Sequence, residues 1–163
     1  MHKITKNDIK KMEDEIDYRK HVVRPKLLEA VKDARAQGDL SENFEYYAAK
    51  KEKNKNESRI RYLDRMIRLS EVIEDDAATD EVGIGDEVTV TYDDGFEDTY
   101  TLVTTMSANS LNKCLSIESP VGKAIKGHKV GEKCHVIISK GNEFDVVITK
   151  LDKTGKDVEI APF

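Results

Sequence analysis

Two carboxylates stand out by type and spacing. Asp39 and Glu42 lie three residues apart just after Gly38. At the start of a helix that spacing brings both acids near one point in space. Carboxylate oxygens are hard donors suited to Mg2+, but that ion wants six ligands, and two acids cannot hold it well alone. Such a pair does chemistry by completing a half-site that belongs to another macromolecule. Phosphodiester cleavage often uses two metal ions, one activating water and one stabilising the leaving oxygen. A projecting acid pair could steady the second ion or orient the attacking water. A purely structural reading stands beside this one. Asp-x-x-Glu at a helix start is itself a capping box, and acids there complement the helix dipole. The two roles do not exclude each other.

The elements that must hold these acids are two long helices. Thr5-Lys6-Asn7-Asp8 offers a cap with an acid three residues on, a capping-box variant. Ile9, Met12, Ile16, Val23, Leu27, Ala30 and Ala34 then recur at heptad-like steps, which is a helical stripe. Pro25 removes a backbone donor and predicts a kink. Gly38 suits the position just past a helix C-terminus. A second helix is expected from about Asp39–Glu42 to about Ile73, with a stripe of Tyr62, Met66, Leu69 and Ile73. Its middle, Lys50 to Asn56, reads as a solvated face. Each helix spans roughly 45 Å. The connection is so short that the two must run antiparallel, as a prong whose tip is Gly38 to Phe44.

The rest of the chain obeys other rules. Residues 1–75 hold 18 of the 27 Lys and Arg, against 16 of the 32 Asp and Glu. The first part is therefore slightly basic and residues 76–163 are clearly acidic, which predicts two domains divided there. With 36% charged residues, 6% aromatics and no Trp in 163 residues, one large core is not expected. An acidic chain is a poor generic nucleic-acid binder, so such contacts should be local to the basic half. Residues 74–83 read as an acidic linker. Beyond it, Val88/Val90/Tyr92, Tyr100/Leu102, Leu115/Ile117, Cys134/Val136/Ile138, Phe144/Val146/Ile148 and Val158/Ile160 alternate between turn residues. That pattern predicts a small, mainly antiparallel sheet, with Pro120–Ile125 as a short covering helix. Cys114 and Cys134 are too few and isolated for a disulfide framework and read as reduced cytosolic thiols. No stretch resembles a signal peptide or a membrane span, so a soluble, cytoplasmic protein is expected; a monomer is expected as well.

Gly38-Asp39-Leu40-Ser41-Glu42-Asn43-Phe44-Glu45-Tyr46-Tyr47-Ala48-Ala49-Lys50 closely resembles the tip signature of the Gre transcript-cleavage factors. Arg24-Pro25, Ala34-Arg35, Ser58-Arg59-Ile60 and Val72-Ile73 extend the match. Ser119-Pro120-Val121-Gly122-Lys123-Ala124-Ile125 and Gly127-His128-Lys129-Val130-Gly131-Glu132 resemble the C-terminal Gre signature, so the likeness covers nearly the whole chain. The resemblance implies an α+β protein, an N-terminal antiparallel coiled coil followed by an FKBP-like antiparallel β-sheet domain. It implies that the sheet domain docks on bacterial RNA polymerase at the rim of the secondary channel while the coiled coil reaches the catalytic magnesium. By position, Asp39 and Glu42 are then the pair that shares Mg2+ with the polymerase and activates water, with no metal bound stably by the free protein. The polymerase, not this chain alone, would cleave the extruded RNA 3′ end of a backtracked complex. Leu40, Ser41, Asn43 and Phe44 are the accompanying tip contacts. Arg35 and Lys50 match basic positions that contact RNA in the family, and Lys51 and Lys53 could add to them. A solvated helix face is the alternative for these cations.

Phe44 departs from the family pattern, where smaller residues are common. Its ring either wedges against the polymerase or RNA, or packs on the hairpin as a staple. Some Gre paralogs occupy the channel without stimulating cleavage, and their tips carry extra acids; the simple pair here favours cleavage. Cys134 and His135 invite a metal site, but further ligands at suitable spacing are lacking and the two should face opposite sides of a strand. An FKBP-like fold alone does not imply isomerase activity.

Overall fold

The computed structural model describes residues 1–38 and 43–163. In chain order the elements are β1 (Lys3–Ile4), α1 (Lys6–Tyr18), a π-helical turn (Arg19–Val23), α2 (Arg24–Ala36), α3 (Phe44–Leu69), β2 (Glu71–Val72), β3 (Glu87–Tyr92), β4 (Glu97–Val103), β5 (Cys114–Ser116), α4 (Pro120–Ile125), β6 (Lys133–Ser139) and β7 (Asn142–Asp152). They form two compact units, one of residues 9–70 with Phe163 and one of residues 1–8 with 71–162. The contacts therefore do not divide at 75/76. Residues 1–8 and 71–75 pack with the later segment because β1 and β2 pair in parallel and Ile73 N–H donates to the Ile4 carbonyl. Ile73 accordingly packs with the sheet's core, and α3 ends at Leu69, short of the expected boundary.

Helix α1 begins as its sequence dictates. Thr5 N–H donates to Asp8 Oδ2 at 2.8 Å, and Asp8 N–H donates to Thr5 Oγ1 at 3.1 Å. This reciprocal box satisfies two of the donors that a helix start leaves open. The discontinuity attributed to Pro25 is a widened turn. Arg24 N–H donates to the Arg19 carbonyl, a five-residue step, immediately before Pro25 in the first turn of α2. Pro25 has no N–H to give the His21 carbonyl, and its ring would clash there in a regular helix; widening the turn relieves both problems.

The prong is antiparallel. Ala34 meets Asn43, Arg19 meets Asn56, and Glu15 meets Arg59, so the partners run in opposite order along the two arms. Met12, Ile60, Leu63 and Met66 are buried on the apolar stripe. Farther along, the interior turns polar. Asn56 and Arg59 are each only 4% exposed, which corrects the reading of Lys50 to Asn56 as wholly solvated. Asn56 Oδ1 accepts from Arg19 Nη1 at 3.1 Å, and its Nδ2 donates to the Arg19 carbonyl at 3.4 Å. The widened turn and the buried amide thus meet at one residue.

The later unit is built on a five-stranded sheet of order β5-β4-β3-β7-β6. It is mixed rather than antiparallel throughout, because β5 joins β4 in parallel. Alternation places Val88, Val90, Leu102, Val136, Val146 and Ile148 in one core beneath α4. Gly122 in α4 is required by space, since a Cβ there would lie 2.0 Å from the Ser116 carbonyl oxygen. Buried Asp86 ties the return of the chain together, accepting from Gly83 N–H at 2.8 Å and Lys153 Nζ at 2.5 Å. The expected last strand at Val158 and Ile160 does not form. That tail is held by a bond from Ala161 N–H to the Met106 carbonyl and one from Ser107 Oγ to the Val158 carbonyl.

Candidate functional site

The candidate acids Asp39 and Glu42, with Leu40 and Ser41, lie outside the described residues. The segments on either side of them are held by hydrogen bonds. On the near side α2 ends at Ala36, with Gln37 as its cap and Gly38 at φ 138°, a backbone region that favours glycine. On the far side α3 starts at Phe44, and its N-cap is Asn43, whose side chain accepts from Tyr46 N–H at 3.0 Å. Such a cap contributes about 1 kcal/mol. The capping reading of Asp39 and Glu42 falls on residues outside those described.

Asn43 also reaches across to the other arm. Its Nδ2 donates to the Ala34 carbonyl at 2.6 Å, which also accepts from Gln37 N–H at 3.3 Å. One amide thus serves the last turn of α2 and the first turn of α3.

Beside this clamp sits Tyr46, nearly buried at 9% exposure. Arg35 Nη2 donates to its hydroxyl at 3.4 Å. The Arg35 guanidinium lies 5.6 Å from the ring centre and Lys50 Nζ 6.0 Å from it, both within cation–π range. The Arg35 hydrogen bond holds the phenol below its usual titration range, and the charges of Lys50, Arg35 and Lys53 act the same way. The structure therefore gathers Arg35 and Lys50 on one aromatic ring, with Lys53 near enough to be felt. Lys51 is simply exposed. Phe44 does not pack as a staple; its side chain is 84% exposed.

Farther down the prong, Arg24 and Glu57 join the arms through a bidentate pair. Glu15 accepts from Arg59 Nε at 2.8 Å and from Arg19 Nε at 2.7 Å. Burial pushes the Glu15 carboxyl up, but the bonds from Arg59 and Arg19 outweigh it and hold the group below the usual range. These residues were not legible as a network, since each reads singly as a surface charge. The only cue was that polar residues interrupt the apolar stripe where a partner helix should lie.

In the later unit, Cys134 is buried and His135 exposed on opposite faces of β6. His135 is engaged by Asp145 and Glu143, and both cysteines are free. Among the described residues no group of three or more His, Cys, Asp or Glu side chains could hold a metal ion. Among them, too, no helix is long and apolar enough to cross a membrane.

Two family matches account for most of the chain. Residues 2–72 match the family described as "Transcription elongation factor, N-terminal". Residues 77–153 match "Transcription elongation factor, GreA/GreB, C-term". This chain belongs to the GreA/GreB transcription elongation factor family. Among its relatives, the transcription elongation factor GreA of Caldanaerobacter subterraneus subsp. tengcongensis is 44% identical over 142 residues, covering 85% of this chain and 89% of the relative. The GreA of Bacillus subtilis is 41% identical, covering 86% of this chain and 90% of its own length. A solved GreA factor homolog 1 of Thermus thermophilus is 21% identical with a TM-score of 0.42, covering 92% of this chain and 97% of that one. The GreA/GreB relation spans both units and includes the tip and C-terminal signatures.

Proposed function

We propose that this elongation factor inserts its helical prong into the secondary channel of bacterial RNA polymerase and stimulates cleavage of the RNA 3′ end in backtracked complexes. The later unit docks on the polymerase, and the prong presents Asp39 and Glu42 to the active centre. One observation carries this reading. The N-cap of α3 is Asn43, so the acid pair is not needed to start the helix that follows it. Two carboxylates are a fitting but incomplete donor set for Mg2+, with the remaining ligands coming from the polymerase, RNA phosphate and water. Bound there, Mg2+ supplies Lewis acidity and an activated water. This chain's part is to place two oxygen donors and orient water, while Arg35, Lys50, Lys51 and Lys53 draw the extruded RNA along the prong.

The test is RNA release from a stalled, backtracked complex made with the host's own polymerase. The wild-type chain is expected to release a 3′ fragment. Asp39→Asn with Glu42→Gln is expected to abolish release while still competing with the wild type for polymerase. Equal cleavage by the double variant overturns the assignment of the pair.

A second reading, channel occupancy without cleavage, is favoured by the exposed ring of Phe44, which is free to contact the channel wall. Measuring elongation with and without backtracking separates the two. An occupant slows both and frees no fragment.

A further inference from the structure

The buried side of α3 is set by Ile60, Leu63 and Met66. At about 100° per residue, Arg61, Arg65 and Arg68 fall on the opposite side of that helix, within an arc of about 60°. All three are exposed. Arg61 Nη2 donates to Ser58 Oγ at 3.1 Å, Arg68 pairs with Asp64 at 2.8 Å, and Arg65 has no hydrogen bond or ion pair among the described residues. We propose that this arginine face of α3 is a further RNA contact: it grips the phosphates of a long extruded RNA end, beyond the reach of Lys50, Lys51 and Lys53. The proposal rests on the reading that the prong enters the polymerase channel and is independent of the acid pair.

The make-up of the face selects a polyanion. Followed back along the helix, the same strip carries Ser58, Asn54 and Lys50, so from Lys50 to Arg68 it holds no acid and no apolar side chain. The acids that flank it are engaged, Glu57 by Arg24 and Asp64 by Arg68. A protein partner wants aromatic or apolar side chains at the centre of its contact, and this strip offers none. A phosphate backbone wants only recurring cations, and guanidinium groups take phosphate oxygens through two parallel bonds. The exposed pair of Arg68 with Asp64 is of the weak kind and yields to a phosphate. Position then sets which RNA can use the face. Arg61 lies about 16 Å and Arg68 about 27 Å beyond Lys50 along the axis, at about 1.5 Å per residue. A short extruded end meets the lysines, and only a long one runs on to the arginines.

The test reads binding, with the full-length chain and the host's own polymerase. Every protein carries Asp39→Asn with Glu42→Gln so that the RNA end stays whole, and RNA length is checked on a gel. Half-saturating concentration is measured by competition across a range of salt, on complexes with no extruded RNA and with a long extruded end. The parent chain is expected to bind the long-RNA complex more tightly and with a steeper salt dependence. Arg61→Gln with Arg65→Gln and Arg68→Gln is expected to weaken that binding on the order of tenfold at low salt and to flatten the slope by about 2, three contacts at about 0.7 each on a single strand. Binding to the complex without extruded RNA stays as it was. Gln is a good helix former, and circular dichroism checks that helix content is kept. Equal weakening on both complexes would assign the face to an acidic surface of the polymerase. No weakening on either would leave it a solvated face, and a parent chain indifferent to RNA length would have no RNA contact there. Each of these three outcomes overturns the inference while the reading of the prong stands. A parent chain that does not bind polymerase at all removes that reading, and this inference with it.

Discussion

Arg24 and Glu57 face each other across the prong with two parallel hydrogen bonds, Nε to Oε1 at 2.7 Å and Nη2 to Oε2 at 2.8 Å. Each side chain keeps a quarter to a third of its surface in water, so solvent discounts the pair's worth. The bidentate geometry nonetheless fixes the azimuth of one arm against the other.

The pH dependence of the prong follows from this pair and from Glu15. The Arg24 hydrogen bond holds Glu57 below its usual value near 4.5. Glu15 is raised by burial but lowered further by Arg59 and Arg19, and also ends below 4.5. Both carboxyls therefore bind protons more weakly folded than unfolded. Their contribution is fully present above about pH 5 and is lost as pH falls through the depressed folded values. Urea unfolding followed by helix signal should show a stability plateau near neutrality and a decline below about pH 4.5. Glu57→Gln should lower the plateau by about 0.5–1 kcal/mol and flatten the decline. An unchanged acid limb in that variant would remove Glu57 from the account.

Phe44→Ala isolates what the exposed ring does. The ring contributes little to the hairpin, being 84% exposed, so the variant should unfold within about 0.5 kcal/mol of wild type. Any change in polymerase affinity then reports a contact outside this chain. The expected outcome is weaker competition for polymerase at unchanged thermal stability. Lost stability without lost affinity would return the ring to the staple role.

Neutralising Lys50, Lys51 and Lys53 together to Gln tests the RNA path. Phosphate contacts release counterions, so wild-type cleavage at limiting factor should weaken steeply between 50 and 200 mM salt, about one power of salt concentration per contact. The triple variant should be weaker at low salt and show a shallower slope. Matching slopes would assign these lysines to a solvated helix face.

Much of this was visible in the residues. The Thr5–Asp8 box, Gly38 past the end of α2, the short helix at Pro120–Ile125 and the alternating strands all rest on local rules, and local rules survive folding. The failures share one cause, competition between local pattern and a distant partner. Nothing local in Asn43 announces its reach to the Ala34 carbonyl across the turn. Asn56 looks solvated until Arg19 arrives from the other arm. Val158 and Ile160 alternate correctly but form no strand, and β1 and β2 are too short to announce themselves. The acid pair was legible as chemistry; the clamp beside it was not, because its value lies in a carbonyl, which no side-chain pattern encodes.

The widened turn at Arg19–Val23 has a mechanical consequence. An unbroken α-helix locks axial travel to heading, about 1.5 Å and 100° for each residue. One five-residue turn inserts a different rise and rotation at a single place. The heading at which Ala34 and Arg35 look toward α3 is thereby reset relative to the preceding turns without redrawing the rest of either arm.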